Sequence, residues 1–182
     1  MTLIKVQLAM TGRELTERVQ SVRETHDGKS IMVAVDFSDH SRAALLQAAT
    51  LAQTMSASLL VLHVVHDPGE MPGYYAKLVK KKRAIRMQDI AADAFGEFIE
   101  GLGNAHPELE ILGDAELLMV IGLPVTRILE VAERLDPLML VMGSQGRTGL
   151  KHMVIGSKAT QVMQLCRSPV LIVKKNDGDG KR

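Results

Sequence analysis

The sequence predicts an α/β protein with a parallel sheet, because short apolar runs alternate along it with segments of helical composition or periodicity. The apolar runs do not alternate with polar residues, so they fit strands that helices cover on both faces. Repeated strand–helix units make such strands parallel through right-handed crossovers. The predicted strands are residues 31–36, 58–65, 115–121, 138–142 and 169–173.

Helices are predicted between these strands from composition and spacing. Residues 41–55 are rich in Ala and Leu, which are good helix formers. Residues 75–102 carry an apolar stripe with spacings of three and four. Residues 124–135 have proline in their first turn, which tolerates it, and residues 157–165 form the last helix. The stripe of the long helix consists of Ala84, Met87, Ala91, Phe95, Phe98 and Leu102.

One α/β domain is predicted at residues 30–175, because a chain of 182 residues is long enough to bury a single substantial core. Residues 1–29 form an N-terminal extension, in which Thr11 and Glu14 have the spacing of a helix capping box. We expect an amphipathic helix there, packed on the domain or on a second subunit. Residues 176–182 are polar and predict a disordered tail. The apolar stripe of the extension consists of Leu15, Val19 and Val22.

Composition argues against several classes of protein. A formal net charge of +1 lacks the strongly basic surface of a dedicated nucleic-acid binder, and 3% aromatic residues offer little for base stacking. No apolar stretch approaches the roughly 20 residues of a membrane helix, and residues 1–30 lack the apolar region of a secretory leader. The single cysteine, Cys166, excludes an intrachain disulfide and fits a reducing compartment. We therefore expect a cytoplasmic protein without nucleic-acid or membrane partners.

Glycines follow the fourth predicted strand at defined positions. Gly143 and Gly146 are separated by two residues, and after nine more residues Gly156 and Ser157 open the last predicted helix. A strand, a glycine loop and a helix N-terminus favour phosphate binding, because main-chain amides and the positive end of the helix dipole face the anion. The first two glycines would let the backbone approach a ligand, or they form an ordinary turn. Gly156 and Ser157 would donate to phosphate oxygens, and Ser157 would act in addition, or only, as the helix N-cap.

This spacing resembles the nucleotide-binding branch of the universal stress protein family, which carries Gly, two residues, Gly, nine residues and Gly-Ser or Gly-Thr. Other segments similar to family signatures occur in the same order: VDFSDHS after the first strand, LHVV at the end of the second, GLP before the third helix, and SPVLIVKK near the end. The resemblance covers residues 30–175. It implies a Rossmann-like open sheet of five parallel strands in the order 3-2-1-4-5, with helices on both faces. The site would then lie where the ends of strands 1 and 4 meet.

The resemblance also implies roles for residues beyond the glycines. Asp36 would contact the ribose hydroxyls, or it caps the turn that follows it. The main chain of Val64 would meet adenine, while Ala34 and Met142 would form apolar walls of the base site. These three are otherwise packing residues. Arg147 would pair with the β- or γ-phosphate, or it is a solvated loop residue.

The function implied by the resemblance is that of a stress-response regulator that binds ATP with Mg²⁺ and changes the partner surface it displays. We expect no efficient enzyme, because no general base for phosphoryl transfer is evident; slow ATP hydrolysis or autophosphorylation stays open. The alternatives are a nucleotide-free dimeric interaction module of the same fold and an adenylating enzyme of a related superfamily. The last strand, PVLIVKK, would be an exposed apolar sheet edge. Family members are similar in pairing through this strand, so we expect a homodimer.

Overall fold

The computed structural model describes residues 13–25, 29–65, 81–146 and 155–175, and helices and strands alternate along these ranges. The strands are β1 Ser30–Val35, β2 Ser58–Val65, β3 Glu116–Ile121, β4 Met139–Gly143 and β5 Val170–Val173. The helices are α1 Arg13–Thr25, α2 Asp39–Met55, α3 Lys81–Ala105, α4 Pro124–Leu135 and α5 Ser157–Leu165. A 3₁₀ turn, Glu110–Leu112, lies between α3 and β3.

The five strands form one parallel sheet in the order β3-β2-β1-β4-β5. The predicted fold class is confirmed, together with the strand order that the family resemblance implied. Strand β1 lies at the centre and pairs with β2 on one side and β4 on the other, so Ala34 is level with Leu62 and with Met142. Strand β5 forms one edge of the sheet, beside β4.

Each face of the sheet has its own core. The odd-numbered residues of β1, which include Val33, are buried with α2, α3 and the 3₁₀ turn. The even-numbered residues Met32 and Ala34 are buried with α1, α4 and α5. Because successive strand side chains point to opposite faces, each of residues 31–35 of β1 belongs to one core or the other. This is the physical reason why the strand is apolar without alternation.

Helix α1, which belongs to the N-terminal extension, packs against α4. Its side also carries polar contacts: Arg134 Nη1 donates to Thr16 Oγ1 at 2.7 Å, and Arg23 forms an exposed ion pair with Asp136 at 3.6 Å. The extension therefore contributes a helix to the core of its own chain. Three apolar residues of α1 are buried in that core: Leu15, Val19 and Val22.

Helix α2 begins at Asp39, two residues before the predicted start. The cause is Ser38, whose Oγ accepts a hydrogen bond from the Ser41 N–H at 3.2 Å and so caps the helix. The Ser41 hydroxyl donates in turn to the Ser38 carbonyl at 3.0 Å. An N-cap serine satisfies an amide that the first turn would otherwise leave without a partner. This earlier start places His40 in the first turn of a helix and not in a loop.

Helix α3 ends at Ala105, three residues beyond the predicted end, and Pro107 follows closely. A residue that precedes proline is disfavoured in helical conformation, which sets this boundary. The predicted start at residue 75 lies outside the described residues, as do Thr11 of the predicted capping box and the predicted tail, 176–182. Within the described ranges, no helix is long and apolar enough to span a membrane.

Candidate functional site

A crevice lies at the carboxyl edge of the sheet, between the ends of β1 and β4. From β1 the chain passes to α2 on one face, and from β4 it passes to α5 on the other. Open α/β sheets bind ligands at such a reversal, because the two connections leave a gap between neighbouring strand ends. Asp36 follows β1 directly, and Gly143 ends β4. The structure thus brings these two predicted site residues to adjacent strand ends.

Asp36 closes a tight turn between β1 and α2. Its Oδ1 accepts hydrogen bonds from the Ser38 main-chain N–H at 3.2 Å and from the Ser38 hydroxyl at 2.6 Å. Between them Phe37 has a φ of 65°, in the left-handed region that bulky residues rarely adopt. The turn-capping role that the sequence left open for Asp36 is therefore present. It uses one carboxylate oxygen, and the other oxygen, Oδ2, faces the glycine loop.

Gly146 lies against the Asp36 carboxylate. A Cβ added to Gly146 would be 2.7 Å from Asp36 Oδ2, closer than real Cβ atoms approach another heavy atom. The loop backbone can approach the carboxylate this closely because residue 146 has no side chain. This contact joins the end of β1 to the loop after β4. The two sequence features that were assigned to one site are in contact.

Gly143 is required by the packing of the protein itself. A Cβ added there would lie 2.8 Å from the carbonyl carbon of His40 and 2.9 Å from its oxygen. The first turn of α2 therefore rests directly on the end of β4. The sequence analysis explained Gly143 by close approach to a ligand or by an ordinary turn, and the structure shows that the close approach of α2 already demands glycine.

Helix α5 begins beside the same loop. Gly156 is its N-cap residue, with φ −69° and ψ 153°, and the Gly156 N–H donates to the Ser144 carbonyl at 2.7 Å. Ser157 is the first residue inside the helix and is exposed, so the interpretation of Ser157 as the N-cap is wrong. The first intrahelical bond runs from the Thr160 N–H to the Gly156 carbonyl. The amides of the three residues before Thr160 therefore have no carbonyl partner within the helix, as is usual in a first turn.

Three predicted contacts of the base lie on the face of the sheet that α4 and α5 cover. Ala34 and Met142 are partners on β1 and β4, and they are 8% and 7% exposed. Val64, near the end of β2, is half-buried and packs against the same core. All three therefore take part in packing, as the alternative interpretation expected. Ala34 and Met142 also lie near the strand ends that border the crevice.

The remaining predicted contact, Arg147, lies outside the described residues. Within the described parts of the chain, no group of three or more His, Cys, Asp or Glu could hold a metal ion. His63, on β2, is buried, and its Nδ1 lies 2.9 Å from the Val35 carbonyl. Its ring stacks on Phe37 at a centroid distance of 4.2 Å. Through these contacts with Val35 and Phe37, His63 supports the turn after β1.

A cluster that the sequence analysis missed joins α2, the glycine loop and the end of β5. We call it the His40 cluster; its members are Asp39, His40, Ser144 and Lys175. His40 Nδ1 lies 3.2 Å from the Ser144 hydroxyl and 3.3 Å from the Lys175 main-chain nitrogen. The Lys175 ammonium contacts Asp39 Oδ2 at 2.8 Å, and this hydrogen bond and charge lower the pKa of the Asp39 carboxyl below its ordinary value of 3.8. No sequence motif indicates this cluster, because its members come close together only when β4 and β5 pair.

Comparison with known proteins agrees with the fold. The model of the universal stress protein family matches residues 28–174. A universal stress protein of Bacillus subtilis, YxiE, is 33% identical over 145 residues, which cover 79% of this chain and 97% of the relative. The universal stress protein UspA from Lactobacillus plantarum has a similar structure, with a TM-score of 0.60 at 21% identity, covering 80% of this chain and 97% of the other. A solved universal stress protein in complex with cAMP has a TM-score of 0.53 at 20% identity, covering 81% and 98%.

Proposed function

This chain belongs to the universal stress protein family, and we propose that it is a stress-response protein that binds ATP in the crevice between β1 and β4. The observation that carries the proposal is the contact between the Asp36 carboxylate and Gly146, beside the first turn of α5. A carboxylate can accept hydrogen bonds from ribose hydroxyls, as it does in other α/β nucleotide sites. Bare backbone and a helix N-terminus suit phosphate. The three parts together match a nucleotide.

The phosphate interaction would supply a large part of the binding free energy that this role needs. Hydrogen bonds to a charged acceptor contribute about 1.5–3 kcal/mol each. Two or three of them from the first turn of α5, with about 0.3–1 kcal/mol from the helix dipole, give roughly 3–10 kcal/mol. Micromolar affinity corresponds to about 8 kcal/mol. Contacts to adenosine would offset the cost of ordering the ligand and the loop.

ATP, in preference to a monophosphate, is proposed from the sequence of the loop. The nine residues between Gly146 and Gly156 include Arg147 and Lys151 and no acidic residue. Cations at this place would compensate the additional charge of β- and γ-phosphates. The cAMP complex of a structural relative supports the more general proposal that the site accommodates an adenine nucleotide.

Magnesium would enter with the triphosphate. The described residues offer no acidic cluster for a dedicated metal site, and Mg²⁺ commonly binds through substrate phosphates while it keeps several waters. We therefore propose that the phosphates supply most of the magnesium ligands.

We propose further that ATP acts here as a regulatory ligand and not as the substrate of a fast reaction. Efficient phosphoryl transfer needs a positioned nucleophile, metal ligands and cations that stabilise the transition state. In the described part of the crevice, Asp36 is the only residue to which we assign a carboxylate role. Its Oδ1 already accepts two hydrogen bonds from Ser38, which does not favour a role as general base. Slow hydrolysis would then limit how long the ATP-bound form persists.

Calorimetric titration with ATP tests the proposal, with Gly146→Val as the disruptive variant and Gly103→Ala, in α3 and outside the site, as the control. Valine at 146 would meet the Asp36 carboxylate, whereas a Cβ at 103 would have nothing within 4 Å. We expect Gly146→Val to lose about 100-fold or more in ATP affinity, with the melting temperature of the ligand-free protein changed by no more than about 4 °C. Gly103→Ala should bind within a few-fold of the wild type. Unaltered binding by Gly146→Val would place the phosphates elsewhere, and a wild type without an ATP signal would favour the nucleotide-free module.

A homodimer through β5 is the second part of the proposal. The edge position of β5 supports it, together with the partial exposure of all four of its apolar residues. The carbonyls of Pro169 and Val173 accept hydrogen bonds from Leu140 of β4 and from Ser144, directly after β4. The backbone groups of Val170 and Ile172 therefore face away from β4. They are therefore positioned to pair with a second copy.

Sedimentation velocity of the wild type and of Ile172→Pro tests this pairing. Proline lacks the outward N–H and is tolerated on a sheet edge, so we expect a dimeric wild type and a folded, monomeric variant. A dimer that persists in Ile172→Pro would move the interface away from β5. A wild type that is monomeric at tens of micromolar would contradict the dimer itself.

A further inference from the structure

His40 lies between α2, the end of β4 and the end of β5. The proposed function gives this residue no role. It lies in the first turn of α2, its main chain touches Gly143 at the end of β4, and its ring reaches Ser144 and Lys175. Ser144 is 1% exposed, and its main chain is also engaged on both sides: its N–H donates to the Val173 carbonyl at 2.7 Å, and its carbonyl accepts from Gly156. Ser144 is therefore the residue through which the glycine loop is attached to β5 and to α5.

Two contacts meet at one atom of the imidazole. The Lys175 main-chain N–H donates to His40 Nδ1 at 3.3 Å, so Nδ1 is the acceptor in this contact. The Ser144 hydroxyl lies 3.2 Å from the same atom and shares it with the amide. One ring nitrogen thus holds the start of the glycine loop and the end of β5 at a common point.

We propose that His40 is a positioning residue for the nucleotide-binding loop and that its Nδ1 couples this loop to the end of β5. The inference rests on the proposed function, because it assigns the loop to nucleotide binding. It adds a residue that makes no predicted contact with the nucleotide. It also gives a physical route by which a change at the sheet edge would reach the crevice, through Lys175, His40 and Ser144. The exposed ion pair between Lys175 and Asp39 also joins the end of β5 to the first turn of α2.

Two substitutions of His40 separate hydrogen bonding from packing. In His40→Asn the side-chain oxygen can occupy the place of Nδ1, so the acceptor is kept although volume is lost. In His40→Leu volume is kept and the acceptor is lost. If His40 acts by packing alone, the leucine variant should resemble the wild type more closely. If it acts as the proposed hydrogen-bond acceptor, the asparagine variant should.

The experiment combines amide hydrogen exchange by NMR on the ligand-free proteins with calorimetric titration by ATP. In His40→Leu we expect the protection of the Lys175 amide to fall about threefold to tenfold and ATP affinity to fall by a similar factor. His40→Asn should stay within about twofold of the wild type in both measurements. The Leu138 amide, which donates to Ser30 at the opposite end of the sheet, is the internal control and should not change.

Each outcome decides one part of the inference. Equal protection of the Lys175 amide in wild type and His40→Leu would overturn the proposed coupling between the loop and β5. If His40→Leu keeps wild-type protection and ATP affinity while His40→Asn loses them, the role of His40 is packing alone. A loss of protection with unchanged ATP affinity would overturn its role in positioning the site. If the wild type binds no ATP, the proposed function fails, while the exchange measurement still decides whether His40 joins the loop to β5.

Discussion

The two strand ends that border the crevice are held in different ways. After β1 the hydrogen bonds of the turn are local, since Asp36 and Ser38 bond to each other and Ser38 caps α2, while the Phe37 ring packs on the distant His63. After β4 the chain is held by distant residues: His40, Val173 and Gly156 contact Gly143 and Ser144. The hydrogen bonds at one end are thus local, and those at the other end depend on the assembled sheet. A substitution at the β4 end should therefore disturb contacts between distant segments.

The largest effect on stability is expected where the β4 end meets α2. Gly143→Ala would place a Cβ 2.8 Å from the main-chain carbonyl carbon of His40, and backbone cannot move aside as a side chain can. We expect the free energy of unfolding to fall by about 1–3 kcal/mol. The melting temperature should fall by roughly 2–10 °C.

Gly156→Ala is the matched control for this measurement, because its Cβ would have only ordinary contacts and its φ is −69°. We expect a loss of less than about 1 kcal/mol there. Equal losses in the two alanine variants, measured by urea denaturation, would contradict the account of the β4 end.

At the β1 end, Asp36 should separate turn formation from ligand binding. Asp36→Asn retains an Oδ1 that can accept from Ser38, so its unfolding free energy should stay within about 1 kcal/mol of the wild type. Asp36→Ala loses both hydrogen bonds and should lose about 1–3 kcal/mol. Both variants should bind ATP about 10- to 100-fold more weakly, because the charged acceptor for the ribose is gone. Wild-type ATP affinity in Asp36→Asn, measured by calorimetry, would leave Asp36 with the turn as its only role.

The smallest effect concerns the ion pair that joins β5 to α2. Lys175 lowers the pKa of Asp39, so the pair contributes to stability above the ordinary pKa of 3.8, and the contribution disappears as the pH falls through the lowered value in the folded state. Because the pair is exposed, the contribution is small and weakens with salt. The difference in urea midpoint between wild type and Lys175→Met should be present at neutral pH and vanish below the lowered pKa. A difference that grows on acidification would contradict this assignment.

The sequence predicted what is local in this molecule. Residues 58–65, 124–135 and 157–165 have the predicted bounds, because each carries its own signal: an apolar run, a proline in the first turn, or a glycine before the helix. The order of the strands was not visible in composition or periodicity and came from the resemblance of the glycine motif to a known family. That motif depends on spacing along the chain, which is also local information.

Contacts between distant segments could not be predicted in the same way. The predicted helix starts at residue 41 and so leaves out His40, and the partner of the His40 ring, Ser144, is 104 residues away. Gly143 was assigned to ligand approach, since the sequence does not reveal that α2 rests on the end of β4. Such requirements arise only when a crossover brings two segments together.

The most direct test of nucleotide binding at this crevice is a crystal structure of the protein grown with ATP. The account predicts phosphate oxygens within hydrogen-bonding distance of the amides in the first turn of α5, and ribose hydroxyls at the carboxylate of Asp36. Density for ATP at another surface, or a crevice filled by a protein side chain in its presence, would contradict the account.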